Sequence, residues 1–193
     1  IRDRALPLWQ QHFPENMKGG SAEALWKAVN LVEPSLIRVE ADEATYNLHI
    51  MIRYEIEKKL IAGDLEVDDL PDAWDDMYEE FLGVRAPNRA FGVLQDIHWS
   101  MGAFGYFPTY TLGNLYAAQL LATARNDLPH HDEQIQRGEF APLLAWMREH
   151  VHQRGSILEP AALIEEATGS PPSPDAFVDY LRDKVELLYG IST

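Results

Sequence analysis

The sequence predicts an all-α, multi-helix protein, and three observations carry that expectation. Apolar residues recur every three or four positions through most of the chain, the spacing that lines one face of a helix. Proline and glycine fall where such runs begin and end, as at Pro71 and Gly83 or at Pro34 and Gly63. Alternating apolar and polar residues, the mark of a half-buried strand, are almost absent.

In chain order, residues 4–16 carry Leu6, Leu8, Trp9 and Phe13 and read as a helix cut short by Pro14. Gly19-Gly20-Ser21 is a break, with Ser21 suited to cap the next helix. Ala24, Leu25, Ala28, Val29 and Val32 fall at helical spacing, so residues 22–33 are expected to be a helix ended by Pro34. Leu36-Ile37-Arg38-Val39 is either extended or the first turn of the next element. That next helix has acids at its start (Glu40, Asp42, Glu43), bases near its end (Lys58, Lys59) and Gly63 just beyond, a polarity that suits the helix dipole. Leu48, Met51, Ile52, Ile56 and Leu60 form its expected apolar stripe, and Glu55 with Lys59 an outer ion pair. After an acidic stretch, Asp64 to Asp69, Pro71 opens a helix to about Leu82 that buries Trp74, Met77, Tyr78 and Phe81. Pro108 starts another, to about Arg125. Residues 133–137, 140–153, 160–168 and 174–189 complete the series. No linker separates domains, so residues 1–193 are read as one helical domain.

Composition narrows the function. With 193 residues, 46% of them hydrophobic, the chain can bury a real core. The absence of cysteine excludes disulfides, thiolate metal sites and a cysteine nucleophile, and it fits a reducing cytoplasm. A net charge of −15 argues against nucleic acid and anionic membranes as partners. No apolar run is long enough to span a bilayer. The first residues, Ile1-Arg2-Asp3-Arg4, show neither an initiator Met nor a signal-peptide core, so the chain reads as a fragment.

Between the helices lies the stretch most suited to chemistry, Gly92-Val93-Leu94-Gln95-Asp96-Ile97-His98-Trp99 followed by Ser100 to Tyr110. It mixes glycines, a histidine, carboxyl and amide groups and bulky aromatics, a combination that packing alone does not require. His98 is suited to donate to a developing oxyanion or a substrate carbonyl; the plainer alternative is a structural histidine bonded to Asp96 or a backbone carbonyl. Tyr106 and Tyr110, four residues apart, are either neutral donors beside a reacting carbonyl or core tyrosines. Arg38 near Asp42 is either a carboxylate anchor or half of an ordinary ion pair. His130-His131-Asp132-Glu133 is either a metal site or a solvated turn before a helix. The chain lacks His-Glu-x-x-His, Gly-x-Ser-x-Gly, a phosphate loop and a dinucleotide fingerprint.

Two motifs join these residues. Ile37-Arg38-Val39-Glu40-Ala41-Asp42 resembles the Ile/Val-Arg-x-x-Ala-Asp motif of the thermostable (Taq-type) zinc metallocarboxypeptidases, and Gly92 to Trp99 resembles that family's Gly-x-x-Gln-Asp-x-His-Trp. Val32 to Leu36 and Gly105 to Asn114 look like the family as well. The resemblance runs nearly end to end, yet covers only the C-terminal two-fifths or so of a member. The family's His-Pro-Phe, Asp-x-Arg-x-Thr, His-Glu-x-x-His and His-Glu-Ser/Gly-Gln elements are not in this sequence. The resemblance therefore places the zinc ligands and the general-base glutamate before Ile1, and no metal ligand within this chain.

In the intact family the implied activity is release of single C-terminal amino acids from peptides. Zinc (or cobalt) polarises the carbonyl and activates a water. Carried onto this sequence, the resemblance implies His98 and Tyr110, or else Tyr106, as donors to the substrate. Arg38, with Gln95, would recognise the substrate carboxylate, and Asp42 and Asp96 would orient a ligand or His98. It implies a groove in the helical fold and a homodimer, and it makes the missing N-terminal part a partner of this chain. The rival expectation is a non-catalytic helical binding or scaffold module derived from that enzyme.

Overall fold

A computed structural model of the chain describes residues 2–191; Ile1, at the head of the N-terminal stretch, lies outside the described residues, as do Ser192 and Thr193. Among the described residues the regular structure is entirely helical: α1 (Arg2–His12), α2 (Ala22–Ala28), α3 (Tyr46–Ala62), α4 (Leu70–Leu82), α5 (Pro108–Asp127), α6 (His131–Arg137), α7 (Ala141–His150), α8 (Pro160–Thr168) and α9 (Asp175–Tyr189), with four single 3-10 turns between them. The chain divides into two compact units, one of Asn30–Gly113 and one of Ile1–Val29 with Asn114–Thr193; α5 runs through the boundary.

In the first of these units α3 packs on α4. Ile52, Ile56, Trp74, Met77, Tyr78 and Leu82 form its buried centre, walled by Leu36, Leu48, Leu60, Leu65, Val93 and Trp99. Fully burying one such side chain contributes about 1.5–3 kcal/mol, which makes this cluster the anchor for everything attached to α3. Gly63 and Gly83 end the two helices with left-handed φ of 77° and 68°, a conformation that costs glycine little. In the other unit Leu120 and Ala124 of α5, Trp146 of α7 and Ile164 and Ala167 of α8 make a separate core, and α1 packs on α2.

Several local expectations change. The helix expected over 22–33 ends at Ala28, where the Val29 amide already bonds back to Leu25 and Lys27. The acids expected in the first turn of α3 lie before it. Asp42 instead accepts from the Ala44 and Thr45 amides and the Thr45 hydroxyl, forming an Asx-type turn from which the helix starts at Tyr46. Met51, assigned to the apolar stripe, is 48% exposed, and the outer pair forms between Lys58 and Glu55 at 3.1 Å rather than Glu55 and Lys59. His131, expected either at a metal site or in a solvated turn, is buried at the start of α6 with its Nδ1 2.8 Å from Asp132 Oδ1.

Candidate functional site

The site lies in the unit of residues 30–113 and draws on three pieces of chain: the turn at 37–42, helix α3, and the segment from Gly92 into the start of α5; the residues selected from the two motifs sit on the first and third. Leu36 and Ile37 lead into the first piece, with Ile37 extended and Arg38–Glu40 forming a 3-10 turn. The third piece has no regular element longer than the 3-10 turn Trp99–Met101 before α5 begins. Its glycines allow its path. A Cβ on Gly92 would come within 3.2 Å of the Ala86 Cβ, and Gly102 and Gly105 both take φ of 75°.

His98 sits at the head of that 3-10 turn with 14% of its side chain exposed. Its Nε2 lies 3.0 Å from the Tyr110 hydroxyl, and its ring lies 4.3 Å, centroid to centroid, from Phe107. Its Nδ1 is buried without a hydrogen-bond partner among the described residues, 3.9 Å from Asp96 Oδ1 and so beyond hydrogen-bond length. Loss of water contact pushes the Tyr110 phenol above its ordinary pKa despite the nearby Arg38 charge, so it holds its proton at neutral pH. Tyr106 stacks edge-on against Tyr110, with centroids 5.4 Å apart, and is 49% exposed. Both tyrosines therefore flank His98, and Tyr110 is the one bonded to it.

Asp96 lies under this pair between two arginines. Arg38 grips it through Nη2 at 2.7 Å and Nε at 3.2 Å, and Arg53 through Nε at 2.7 Å. Burial alone would raise the Asp96 carboxyl, but the Arg38 hydrogen bonds and the Arg53 charge outweigh it and hold the group below the usual carboxylate range. Arg38 also donates to the Tyr46 hydroxyl at 3.1 Å, and its guanidinium lies over the Tyr110 ring at 5.0 Å. Two guanidiniums thus meet one carboxylate, and the cluster carries one surplus positive charge next to His98.

The remaining selected residues are committed to the fold around this cluster. Gln95 uses both ends of its amide: Oε1 accepts from the Arg38 amide and from Arg53 Nη2, each at 3.0 Å, while Nε2 donates to the Leu36 and Phe91 carbonyls. Asp42 caps the turn before α3, and its second oxygen also takes the Glu33 amide at 3.1 Å.

Sequence reasoning missed the contribution of α3. Arg53 is fully buried, donates to the His49 carbonyl at 2.8 Å and the Tyr78 hydroxyl at 2.9 Å, and lies 4.5 Å from the centre of the Trp74 ring. Glu57, 4% exposed, accepts from Trp99 Nε1 at 2.7 Å and from the Gly105 amide at 3.2 Å. His49 sits one turn before Arg53, its Nδ1 3.0 Å from the Tyr78 hydroxyl; burial first, then the two guanidinium charges, lower its pKa to about 4. The available signal was spacing: His49, Arg53 and Glu57 recur every fourth residue on a face shared with Ile52 and Ile56.

Among the described residues no three His, Asp or Glu side chains converge to hold a metal ion. The donor set of this unit instead consists of neutral and cationic hydrogen-bond donors. Such a set suits a carboxylate or a carbonyl oxygen gaining negative charge.

The sequence model of the Peptidase_M32 family, described as carboxypeptidase Taq (M32) metallopeptidase, matches residues 2–185. A thermostable carboxypeptidase 1 of Thermus thermophilus is 48% identical over 97% of this chain and 38% of its own length. Carboxypeptidase 1 of Bacillus subtilis is 45% identical over 93% of this chain and 36% of its own. The crystal structure of an M32 carboxypeptidase from Deinococcus radiodurans superposes with a TM-score of 0.92 at 43% identity, covering 98% of this chain and 39% of that one. The chain therefore spans less than two fifths of the length of these relatives.

Proposed function

We propose, from the premise that this chain belongs to the carboxypeptidase Taq (M32) metallopeptidase family, that it supplies the substrate-facing side of a zinc metallocarboxypeptidase releasing single C-terminal amino acids from peptides. In this reading the metal and the groups that hold it belong to the part of the relatives' length that this chain does not span.

The observation that carries the reading is the meeting of His98, Tyr110 and Arg38 in one compact unit, with a surplus positive charge beneath them. A peptide's C-terminal carboxylate is drawn to that charge, and Arg38 is the cation nearest the aromatic pair. This arrangement would set the preceding peptide carbonyl beside His98 and Tyr110. As that carbonyl becomes tetrahedral, its oxygen gains charge, and a preset O–H or N–H donor stabilises it more in the transition state than in the ground state. His98 is the first donor in this reading, and Tyr110, holding its proton at neutral pH, or else Tyr106, is the second. Asp96 supports the site by fixing Arg38, and Gln95 by bracing the turn at Arg38.

The test supplies the missing N-terminal part together with Zn²⁺ or Co²⁺. Hydrolysis is expected of a peptide with a free C-terminal carboxylate and not of its C-terminal amide. His98→Ala is expected to lower kcat by on the order of 10²–10³-fold, the scale of losing one oxyanion donor. A restored enzyme indifferent to that change defeats the role given to His98.

A further inference from the structure

We propose that Arg53 and Glu57, one turn apart on the buried face of α3, are positioning residues that clamp the His98 segment from both sides and fix the direction of its imidazole. The proposal rests on the reading that His98 serves the substrate.

From Leu82 to Pro108 the chain has no regular element longer than one 3-10 turn, so its path must be fixed from outside. The His98 carbonyl accepts from the Met101 and Ala103 amides, which closes a tight local loop but does not tie that loop to the core. Beside Arg38, which holds Asp96 from the turn at 37–42, two side chains of α3 make the tie. Ahead of His98, Arg53 donates to Asp96 at 2.7 Å and to Gln95 at 3.0 Å. Behind it, Glu57 accepts from the Trp99 indole at 2.7 Å and the Gly105 amide at 3.2 Å. His98 therefore hangs between two anchors that lie on one face of one helix.

Stability alone is a poor reason for these charges. Taking a guanidinium and a carboxylate out of water is costly, and replacing buried ionic groups by well-packed apolar ones is often neutral or stabilising. Arg53 is 0% and Glu57 4% exposed, while the Ile52, Ile56 and Trp74 cluster already joins α3 to α4. What an apolar replacement would lose is direction. A guanidinium fork and a carboxylate bond fixed atoms at fixed angles, so the segment has one register on α3 rather than several. The Trp99 anchor is rigid in turn, since its ring packs edge-on against both Trp74 and Phe107, with centroids 5.9 Å away in each case.

Two variants test this: Glu57→Gln, which keeps size but turns an NH2 toward one of two donors, and Arg53→Lys, which keeps charge but loses the fork. In the chain itself, both are expected to stay helical by circular dichroism. Both are expected to shift the ring resonances of His98 and Tyr110 in NMR spectra, and Glu57→Gln also the Trp99 indole N–H signal. Variants as helical as the parent with unmoved His98 resonances overturn the proposal, and so does loss of helicity in both, which would make these residues parts of the fold only. With the N-terminal part and Zn²⁺ supplied, each variant is expected to lower kcat on the order of 10–100-fold, the scale of a misplaced catalytic group, with KM changed less than about twofold. A loss confined to KM overturns it. If the parent chain so supplied hydrolyses no peptide, the proposed function fails, while the spectral result still decides whether the clamp exists.

Discussion

Among single residues, His49 makes the sharpest demand on solution conditions. Its imidazole is fully buried beside two guanidiniums, and its pKa of about 4 lies below the ordinary 6.5. Between those two values the unfolded chain binds a proton that the native chain refuses. Stability must therefore rise with pH across that window; it is intact above about 6.5 and erodes as pH falls toward 4. A shift of that size corresponds to about 3 kcal/mol, a large share of a domain's 5–15 kcal/mol. Urea midpoints measured at pH 7.5 and at pH 4.5 are expected to differ strongly for the parent chain and much less for His49→Gln, which keeps a polar partner for Tyr78 without a titrating group. Equal acid sensitivity in the two proteins would show that other groups govern the acid limb. Asp96 acts at lower pH, because its carboxyl is held below the usual range and its contribution is lost only as pH falls through that depressed value.

The three elements of the site were unequally readable, and α3 shows why. The segment from Gly92 to Tyr110 announced itself by residue type, and the structure brings its His98, Asp96, Tyr106 and Tyr110 together with Arg38. Arg53 and Glu57 did not, because a lone Arg or Glu in a helix is ordinarily solvent-facing, and only the partners they meet in three dimensions reveal burial. The same masking misplaced the apolar stripe. His49, Arg53 and Glu57 share the inner face with Ile52 and Ile56, so the apolar period alone drew Met51 inward. Capping residues hid a second boundary: the acids before α3 serve turn amides at Asp42 rather than the helix dipole. The corrected face has a measurable consequence. Ile56→Ala, at a fully buried position in the α3–α4 cluster, is expected to cost about 2–5 kcal/mol in chemical denaturation. Met51→Ala, at a position 48% exposed, is expected to stay within about 0.5 kcal/mol. Comparable losses at both positions would return Met51 to the core.

At the scale of the whole molecule, the surface next to the site argues for association. Leu94, Ile97 and Met101 are 65–71% exposed within eight residues of one segment, and Phe91 and Phe104 extend the row at 49% and 47%. Scattered apolar residues on a surface are ordinary, but five exposed ones between Phe91 and Phe104 concentrate apolar surface on one segment. Each large side chain withdrawn from water contributes about 1.5–3 kcal/mol, enough in sum to offset much of the entropy lost when two copies meet. The net charge of −15 opposes that meeting at long range, so association should strengthen as salt screens the repulsion. We therefore expect a dimer or larger assembly by light scattering at about 150 mM salt, and a smaller mean mass at about 10 mM, where screening is weaker. The combined change Leu94→Gln, Ile97→Gln and Met101→Gln is expected to give a monomer at the same concentration with unchanged helicity. A parent chain that is a monodisperse monomer at both salt concentrations would mean that the patch stays exposed in solution and that this expectation is wrong.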